Sequence, residues 1–236
     1  DDVNLNWAYV SGRVGGVKTD LGRQNLKLHT GNVVDAEFDA AKLAYGKDVK
    51  ITGFVGKGEG DDVTPLDEDR LYVVDLTSKI GVVDAYVSYY NADNGYSQEV
   101  WNVGAALPIV KDLKLSAEYL HGDADDSSDL DNNGYVVGLA YKGAKASKPG
   151  SWGVYANYYD MPGLTYFDNT NDGYNGVMNT WKDGKNAAGV EYDGFEGFEV
   201  GANVALAKNI VAAVKYYDLE SREGDADEQT IWSEVV

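Results

Sequence analysis

Apolar and polar residues alternate with a period of two along most of the chain. The run LKLSAEY (113–119) places leucine, alanine and tyrosine on one face and lysine, serine and glutamate on the other. The same alternation recurs in VKITGFV (49–55), WNVGAAL (101–107) and WGVYANY (152–158). Successive side chains of a β-strand point to opposite faces, so this pattern predicts strands with one apolar face. Helical periodicity is nearly absent, and the predicted fold class is all-β.

The connections between these runs are of two kinds, which alternate along the chain. Consecutive antiparallel strands place successive connections at opposite ends of a sheet, so each kind is expected at its own end. Short turns at one end and long loops at the other are typical of outer-membrane barrels. The short basic connections are 13–18, 45–50, 78–82, 109–114, 142–151 and 206–210, and the long acidic ones are 58–69, 91–99, 121–133, 161–197 and 220–228.

The strand count predicts a barrel that extends beyond this chain. About thirteen strands run from NWAYVSGRV to QTIWSEVV, whereas bacterial single-chain barrels have even numbers. We therefore predict a transmembrane antiparallel up-and-down β-barrel of about sixteen strands, lacking about three at its N-terminal side. Residues 1–236 would form one porin-sized domain, incomplete at the N-terminus and in its last few C-terminal residues. The start, DDVNLNWAYV, has neither an initiator Met nor a signal peptide, as expected of a processed or partial chain.

The aromatic composition suits a boundary between lipid and water. The chain has 18 Tyr and five Trp against five Phe, and tyrosine and tryptophan combine an apolar ring with a polar tip. A soluble β-sandwich with tyrosine-rich strand pairs is the alternative. In the membrane interpretation, an aromatic girdle is predicted on the apolar face near strand ends, at Tyr45, Trp101, Tyr119, Trp152 and Tyr158.

Several other classes of protein are disfavoured. The formal charge of -19 argues against nucleic-acid binding, and zero cysteines exclude disulfide scaffolds and thiolate chemistry. The sequence contains no run of about 18 apolar residues, so no membrane-spanning helix is predicted. The acidic run DADDSSDLDNNG (123–134) begins like a calcium loop, but it lacks the glycine and glutamate of that motif. With two histidines and no nucleophile elbow or phosphate loop, we expect no enzyme activity, cofactor or metal.

One segment resembles a known porin element. Residues 20–41, DLGRQNLKLHTGNVVDAEFDAA, are similar to the general-porin strand with a Gly-Arg motif that leads into loop 3. The resemblance implies an inserted loop, here residues 24–37, that narrows a water-filled lumen. Its acids would face basic wall residues across a transverse electric field. The loop candidates are Asp35 and Glu37, with His29, and the wall candidates are Arg13, Arg23, Lys42, Lys50 and Lys114.

Two of these wall residues have an uncertain direction from alternation alone. Arg13 follows Tyr9 and Ser11, so its inward aim is less well defined than that of the lysines. Arg23 has the parity of Leu21, so it points inward only if a bulge intervenes.

The last third of the chain carries a narrower resemblance. GSWGVYANYYDMP (150–162), the strands over 197–220 and QTIWSEVV resemble the barrel of OmpM-type outer-membrane proteins of diderm Firmicutes. That resemblance implies a homotrimer in contact with membrane lipid and outer-leaflet lipopolysaccharide. Members of the family also carry a coiled-coil stalk and an S-layer homology domain, which would bind peptidoglycan or another cell-wall polymer and is not present in this chain.

The predicted function is a general diffusion porin in the bacterial outer membrane, passing small hydrophilic solutes and ions, with a preference for cations. The alternatives are a structural tether between outer membrane and cell wall, with the barrel mainly an anchor, and the soluble β-sandwich binding module. A channel for one solute class is also consistent with the pattern. Aromatic residues lining its lumen would be Tyr86, Tyr155 and Tyr159.

Overall fold

The computed structural model describes residues 7–58, 70–93, 97–124, 130–167, 171–173, 194–222 and 226–236. All five long acidic connections predicted from the sequence therefore lie wholly or partly outside the described residues. These are 58–69, 91–99, 121–133 with the centre of the calcium-like run 123–134, most of 161–197, and 220–228.

Within these described ranges, thirteen antiparallel strands form one sheet, in which each strand pairs with its neighbours in sequence. This confirms the all-β up-and-down fold and is incompatible with a sandwich, which needs two packed sheets. No ladder joins the first strand to the last among the described residues. The strands are β1 (Ala8–Val14), β2 (Val17–Lys27), β3 (Asp35–Gly46), β4 (Val49–Gly58), β5 (Arg70–Ile80), β6 (Val83–Asp93), β7 (Gln98–Val110), β8 (Leu113–Asp123), β9 (Asn133–Lys142), β10 (Trp152–Met161), β11 (Phe195–Ala207), β12 (Ile210–Ser221) and β13 (Asp227–Val235).

The two ends of the sheet differ as the connection pattern predicts. At one end, the turn end, the connections are two residues long except for 143–151. Gly15 and Gly16 have φ of 57° and 87°, the left-handed backbone that tight hairpin turns require. The opposite end, the loop end, carries the longer connections, beginning with 28–34 between β2 and β3.

The two faces of the sheet have opposite character. In β5, Leu71, Val73 and Asp75 are buried, while the alternate residues Tyr72 and Val74 are exposed. The buried set defines the inner face, and the exposed set defines the outer face. The outer face presents exposed apolar side chains along most of its strands, whereas soluble monomers rarely expose contiguous apolar patches of more than a few residues. It includes Leu76, Val87, Val103, Val137, Leu139, Val154, Val200 and Val214.

Apolar burial is concentrated on the inner face near the loop end. Leu26 and Phe38 of β2 and β3, Tyr90 of β6 and Leu120 of β8 are all at most 1% exposed and belong to one cluster. The cluster also holds residues from two connections, 28–34 and 162–167. A short 3₁₀ turn, Gly163–Thr165, lies in the second connection. Inward-folded connections therefore supply much of the core.

Hydrogen bonds fix these connections to the sheet and to each other. The Gln98 side-chain amide donates to the Leu164 and Tyr166 carbonyls at 3.0 and 3.1 Å. The Phe167 backbone amide donates to the Val33 carbonyl at 2.9 Å. In the part of the chain that the structure describes, no helix is long and apolar enough to cross a membrane.

Candidate functional site

The connection 28–34 crosses the inner face of the sheet. His29 Nε2 lies 2.7 Å from Asp75 Oδ1 and 3.2 Å from Ser88 Oγ. The imidazole stacks on Tyr86 of β6, with ring centroids 3.4 Å apart and planes inclined by 6°. Farther along, the Asn32 side-chain amide donates to Glu118 Oε2 of β8 at 3.2 Å. The segment is therefore attached to β5, β6 and β8.

The connection is shorter than the predicted inserted loop 24–37. Residues 24–27 continue β2 and residues 35–37 belong to β3, with the ladder paired as far as Lys27↔Asp35. Because Lys27 and Asp35 are paired and both line the inner cavity described below, the hairpin extends inward as two paired strands. Only residues 28–34 lie between the strands.

A cavity of about 310 Å³ lies between the tip of this hairpin and the inner face of the sheet. Because residues of β2 and β3 and residues of β8 to β12 line one space, the sheet must curl around it. The lining is mainly polar and charged. The hairpin contributes Lys27, Thr30, Asn32 and Asp35, and the opposite side contributes Ser116, Glu118, Val136, Tyr155, Asn157, Tyr159, Asn171, Asp172, Glu199, Lys215 and Tyr217.

The charges of this cavity are unevenly paired. Lys27 Nζ lies 2.5 Å from Asp35 Oδ2, and Lys215 Nζ lies 2.8 Å from Asp172 Oδ2. Glu118 and Glu199 also line the cavity. The hydrogen bonds described for these two carboxylates come from neutral side chains. The cavity therefore has two fixed negative charges without a matching ion pair among the described residues.

Three donors from β10 hold the Glu199 carboxylate in place. The Tyr155 and Tyr159 hydroxyls donate to its oxygens at 2.5 and 2.6 Å, and the Asn157 amide donates at 3.0 Å. Asn157 is directly opposite Glu199 in the β10–β11 ladder, so alternation brings all three donors to the same face. Hydrogen bonds to the charged form stabilise a carboxylate that is only 5% exposed.

The predicted constriction residues are distributed differently from expectation. Asp35 lines the cavity, whereas Glu37 pairs with Asn25 in the β2–β3 ladder and does not line it. Lys42 is on the inner face, 3.9 Å from Asp20 Oδ2. Lys50 and Lys114 share the inner face but lie close to the turn end. Arg13 also lies at the turn end, where its guanidinium donates to the Gly16 carbonyl at 3.4 Å.

Arg23 is a correction to the predicted wall. The β2–β3 register is uninterrupted, so Arg23 stays on the outer face with Leu21. Its guanidinium pairs there with the Asp39 carboxylate at 3.0 Å. The bulge that an inward arginine requires does not occur in this ladder.

The acids of the cavity wall, Glu118 and Glu199, were not among the predicted site residues. A signal for each was present in the sequence. Alternation places Glu118 on the polar face of LKLSAEY, and Glu199 falls between the apolar residues Phe198 and Val200. The sequence predicts acids on the inserted loop and bases on the wall, whereas the structure has acids on the wall and Lys27 on the hairpin. This difference depends on the curl of the sheet, which brings these residues to one cavity.

The predicted girdle residues all lie on the outer face. Tyr45, Trp101, Tyr119, Trp152 and Tyr158 are between 41% and 62% exposed. Outer-face aromatic residues pack across strands toward both ends of the sheet. Ring centroids are 4.8 Å apart for Tyr89–Trp101, 6.0 Å for Tyr135–Tyr158 and 6.0 Å for Tyr141–Trp152. The other predicted aromatic set, Tyr86, Tyr155 and Tyr159, lies on the inner face.

Gly104 allows Tyr86 to support His29, which leads to a testable prediction. A Cβ at Gly104 would lie 2.2 Å from Tyr86 Cζ, so Gly104→Ala must displace the ring. We expect a loss of about 1–3 kcal/mol in the free energy of unfolding, as for other overpacked sites. Urea-dependent unfolding in detergent, followed by tryptophan fluorescence, measures it. Gly53→Ala is the matched control, because a Cβ there meets nothing within 4 Å. Equal stability of the two variants would contradict the described packing of Tyr86.

Among the comparisons with known proteins, only the comparison of structures identifies the fold. No protein-family model and no curated protein matches the chain. Pseudomonas putida OprB is 11% identical over 94% of this chain and 69% of its own, with a TM-score of 0.56. A doubly substituted OccD1 (OprD) is 13% identical over 97% of this chain and 68% of its own, with a TM-score of 0.52. Both are outer-membrane porins. At this level of identity the likeness establishes one conclusion: the chain has the fold of a porin β-barrel.

Proposed function

We propose that this chain forms most of the wall of a water-filled channel in a bacterial outer membrane. Small hydrophilic solutes and ions diffuse through it, and cations are preferred. The observation that supports this most directly is the polar cavity between the β2–β3 hairpin and the inner face. Its wall presents Glu118 and Glu199 to the path, while the outer face of the same strands is apolar.

The preference for cations follows from the balance of charge in the cavity. Ion pairs offset the charges of Lys27 and Lys215, so the remaining field comes mainly from the two glutamates. Fixed charges in a narrow space with low-dielectric walls concentrate counter-ions. The acidic residues elsewhere in the chain, which has a formal charge of -19, add to this field.

The closed barrel, the homotrimer and the cell-wall tether are further proposals about the whole protein. Closure with about sixteen strands is the size expected of a porin. A homotrimer in contact with lipopolysaccharide rests on the resemblance to OmpM-type barrels. The cell-wall tether rests on the same resemblance and requires a domain outside this sequence.

Conductance measurements test the proposed function directly. The full-length protein, extracted in detergent, is reconstituted in a planar bilayer, and reversal potentials are recorded across a KCl gradient. We expect large ohmic steps and a reversal potential of the sign for potassium over chloride. Steps in groups of three would support the trimer. Correctly folded protein that conducts nothing would contradict the channel, and selectivity for chloride would contradict the assigned role of the glutamates.

A further inference from the structure

A second, larger cavity lies at the turn end of the sheet. Its volume is about 860 Å³ and it is open to solvent. The ends of β5 to β9 form one side, and the connection 143–151 forms the other. The cavity shares no lining residue with the acidic cavity beside the hairpin. It is therefore a separate feature of the same inner space.

The charge of this cavity is opposite to that of the whole chain. The protein has 20 Lys and Arg residues against 39 Asp and Glu, yet lysines dominate here. One of the two lining aspartates, Asp84, already pairs with Lys79 at 3.4 Å. The lining charged residues are Lys79, Lys114, Lys142, Lys145 and Lys148, with Asp84 and Asp112.

Local hydrogen bonds fix the backbone of the connection 143–151, which carries Lys145 and Lys148 of the cavity lining. Lys145 and Lys148 form an isolated β-bridge. The Ser151 hydroxyl accepts from the Lys145 amide at 2.8 Å and donates to the Lys148 carbonyl at 2.6 Å. The Ala144 amide donates to Asn203 Oδ1 at 2.7 Å, which ties the connection to β11. Charge repulsion among the lysines is therefore opposed by several local bonds.

The lysines that line the cavity belong to three strands and to the connection 143–151. Lys79 and Lys114 share the inner face with Asp75 and Glu118, by alternation along β5 and β8. The Lys142 ammonium lies over two outer-face rings, 5.0 Å from the ring centroid of Tyr141 and 4.6 Å from that of Trp152. Because five lysines line one cavity, its net positive charge favours a ligand with several anionic oxygens.

We propose that the turn-end cavity binds multiply charged phosphate groups. A single carboxylate satisfies few of these ammonium groups, whereas a pyrophosphate spans several of them and fits easily within the volume. Two sources offer this chemistry: a soluble phosphorylated solute in the inner space, or a lipid headgroup that is a phosphate monoester, near Trp152. Binding at this site is independent of whether the protein conducts ions.

The test measures binding of inorganic pyrophosphate to the full-length protein in a non-ionic detergent by isothermal titration calorimetry. We expect saturable binding, with one pyrophosphate per chain. The double variant Lys114→Gln/Lys148→Gln should weaken it by at least about tenfold, since each lost charged hydrogen bond contributes a comparable factor. The matched control, Lys111→Gln/Lys208→Gln, removes the same charge at two turns outside the cavity lining and should change the affinity less than about twofold.

A second arm of the experiment separates the two sources. Pyrophosphate is titrated again in mixed micelles containing phosphatidic acid, a phosphate monoester, with phosphatidylcholine micelles as the reference. Competition by phosphatidic acid identifies a headgroup site, and unchanged affinity identifies a site for soluble phosphates. Absence of saturable binding, or equal weakening in both double variants, would overturn the proposal. Because the readout is calorimetric, a protein that binds pyrophosphate without conducting would contradict only the proposed channel function.

Discussion

Replacing both Glu118 and Glu199 with glutamine is expected to abolish most of the cation preference. These carboxylates carry the cavity charge that is not offset by Lys27 or Lys215. A unit charge about 4 Å from an ion contributes about 1 kcal/mol in water and about 4 kcal/mol at an effective dielectric constant near 20. Even the lower value changes ion occupancy severalfold. The measurement is the reversal potential across a KCl gradient, which should move close to zero.

Glutamine retains the size of glutamate and one accepting oxygen, and the tyrosine hydroxyls beside residue 199 can turn to accept from its amide group, so the variant should fold. The matched control is Glu37→Gln/Glu99→Gln, which removes two charges from residues that do not line the cavity. The control should keep the reversal potential of the unmodified protein. If the control loses selectivity and the Glu118/Glu199 variant does not, the dominant acid is Glu37 or Glu99 and the assignment to Glu118 and Glu199 is wrong.

Shortening the inward hairpin is expected to raise single-channel conductance severalfold. Replacing residues 28–34 with Asn-Gly closes the hairpin directly after the Lys27↔Asp35 pair with a tight turn. The variant loses the His29 and Asn32 attachments and one side of the polar cavity. It also loses the burial of Val33 and Val34, at a cost of about 1.5–3 kcal/mol each. Bilayer recordings, with unfolding in urea as a check on folding, measure both effects.

A variant of unchanged length serves as the control for the hairpin. His29→Ala/Asn32→Ala removes the two described side-chain attachments but leaves the segment in place. We expect its mean conductance to stay close to that of the unmodified protein, with increased current noise as the segment moves. A folded Asn-Gly variant with unchanged conductance would show that residues 28–34 lie outside the ion path.

Much of the fold follows from local pattern. Alternation in runs such as LKLSAEY separates the two faces, and the lengths of the connections separate the two ends. The same alternation predicts Tyr119 and Trp152 on the apolar face, and both are exposed on the outer face of the sheet. Each of these inferences uses only neighbouring residues, because a β-strand repeats every two positions.

The site depended on information that alternation does not contain. The end of β2 cannot be located from its pattern, since residues 24–27 alternate whether or not they pair with β3. The partners of Glu199 are on the adjacent strand, but Lys27 and Glu118 share its cavity only because the sheet curls. Arg23 shows the converse: its parity with Leu21 already pointed outward, and only the general-porin resemblance favoured an inward position.

The sequential order of the sheet also has a kinetic consequence. Every ladder joins strands that are adjacent in sequence, so each hairpin closes a short loop and the sheet can grow one strand at a time. The attachments of residues 28–34 are different, since His29–Asp75 and Asn32–Glu118 join residues 46 and 86 positions apart. These contacts can form only after β5 to β8 have assembled and curved. The inner segment is therefore expected to dock late, after the strand pairing that creates its binding surface.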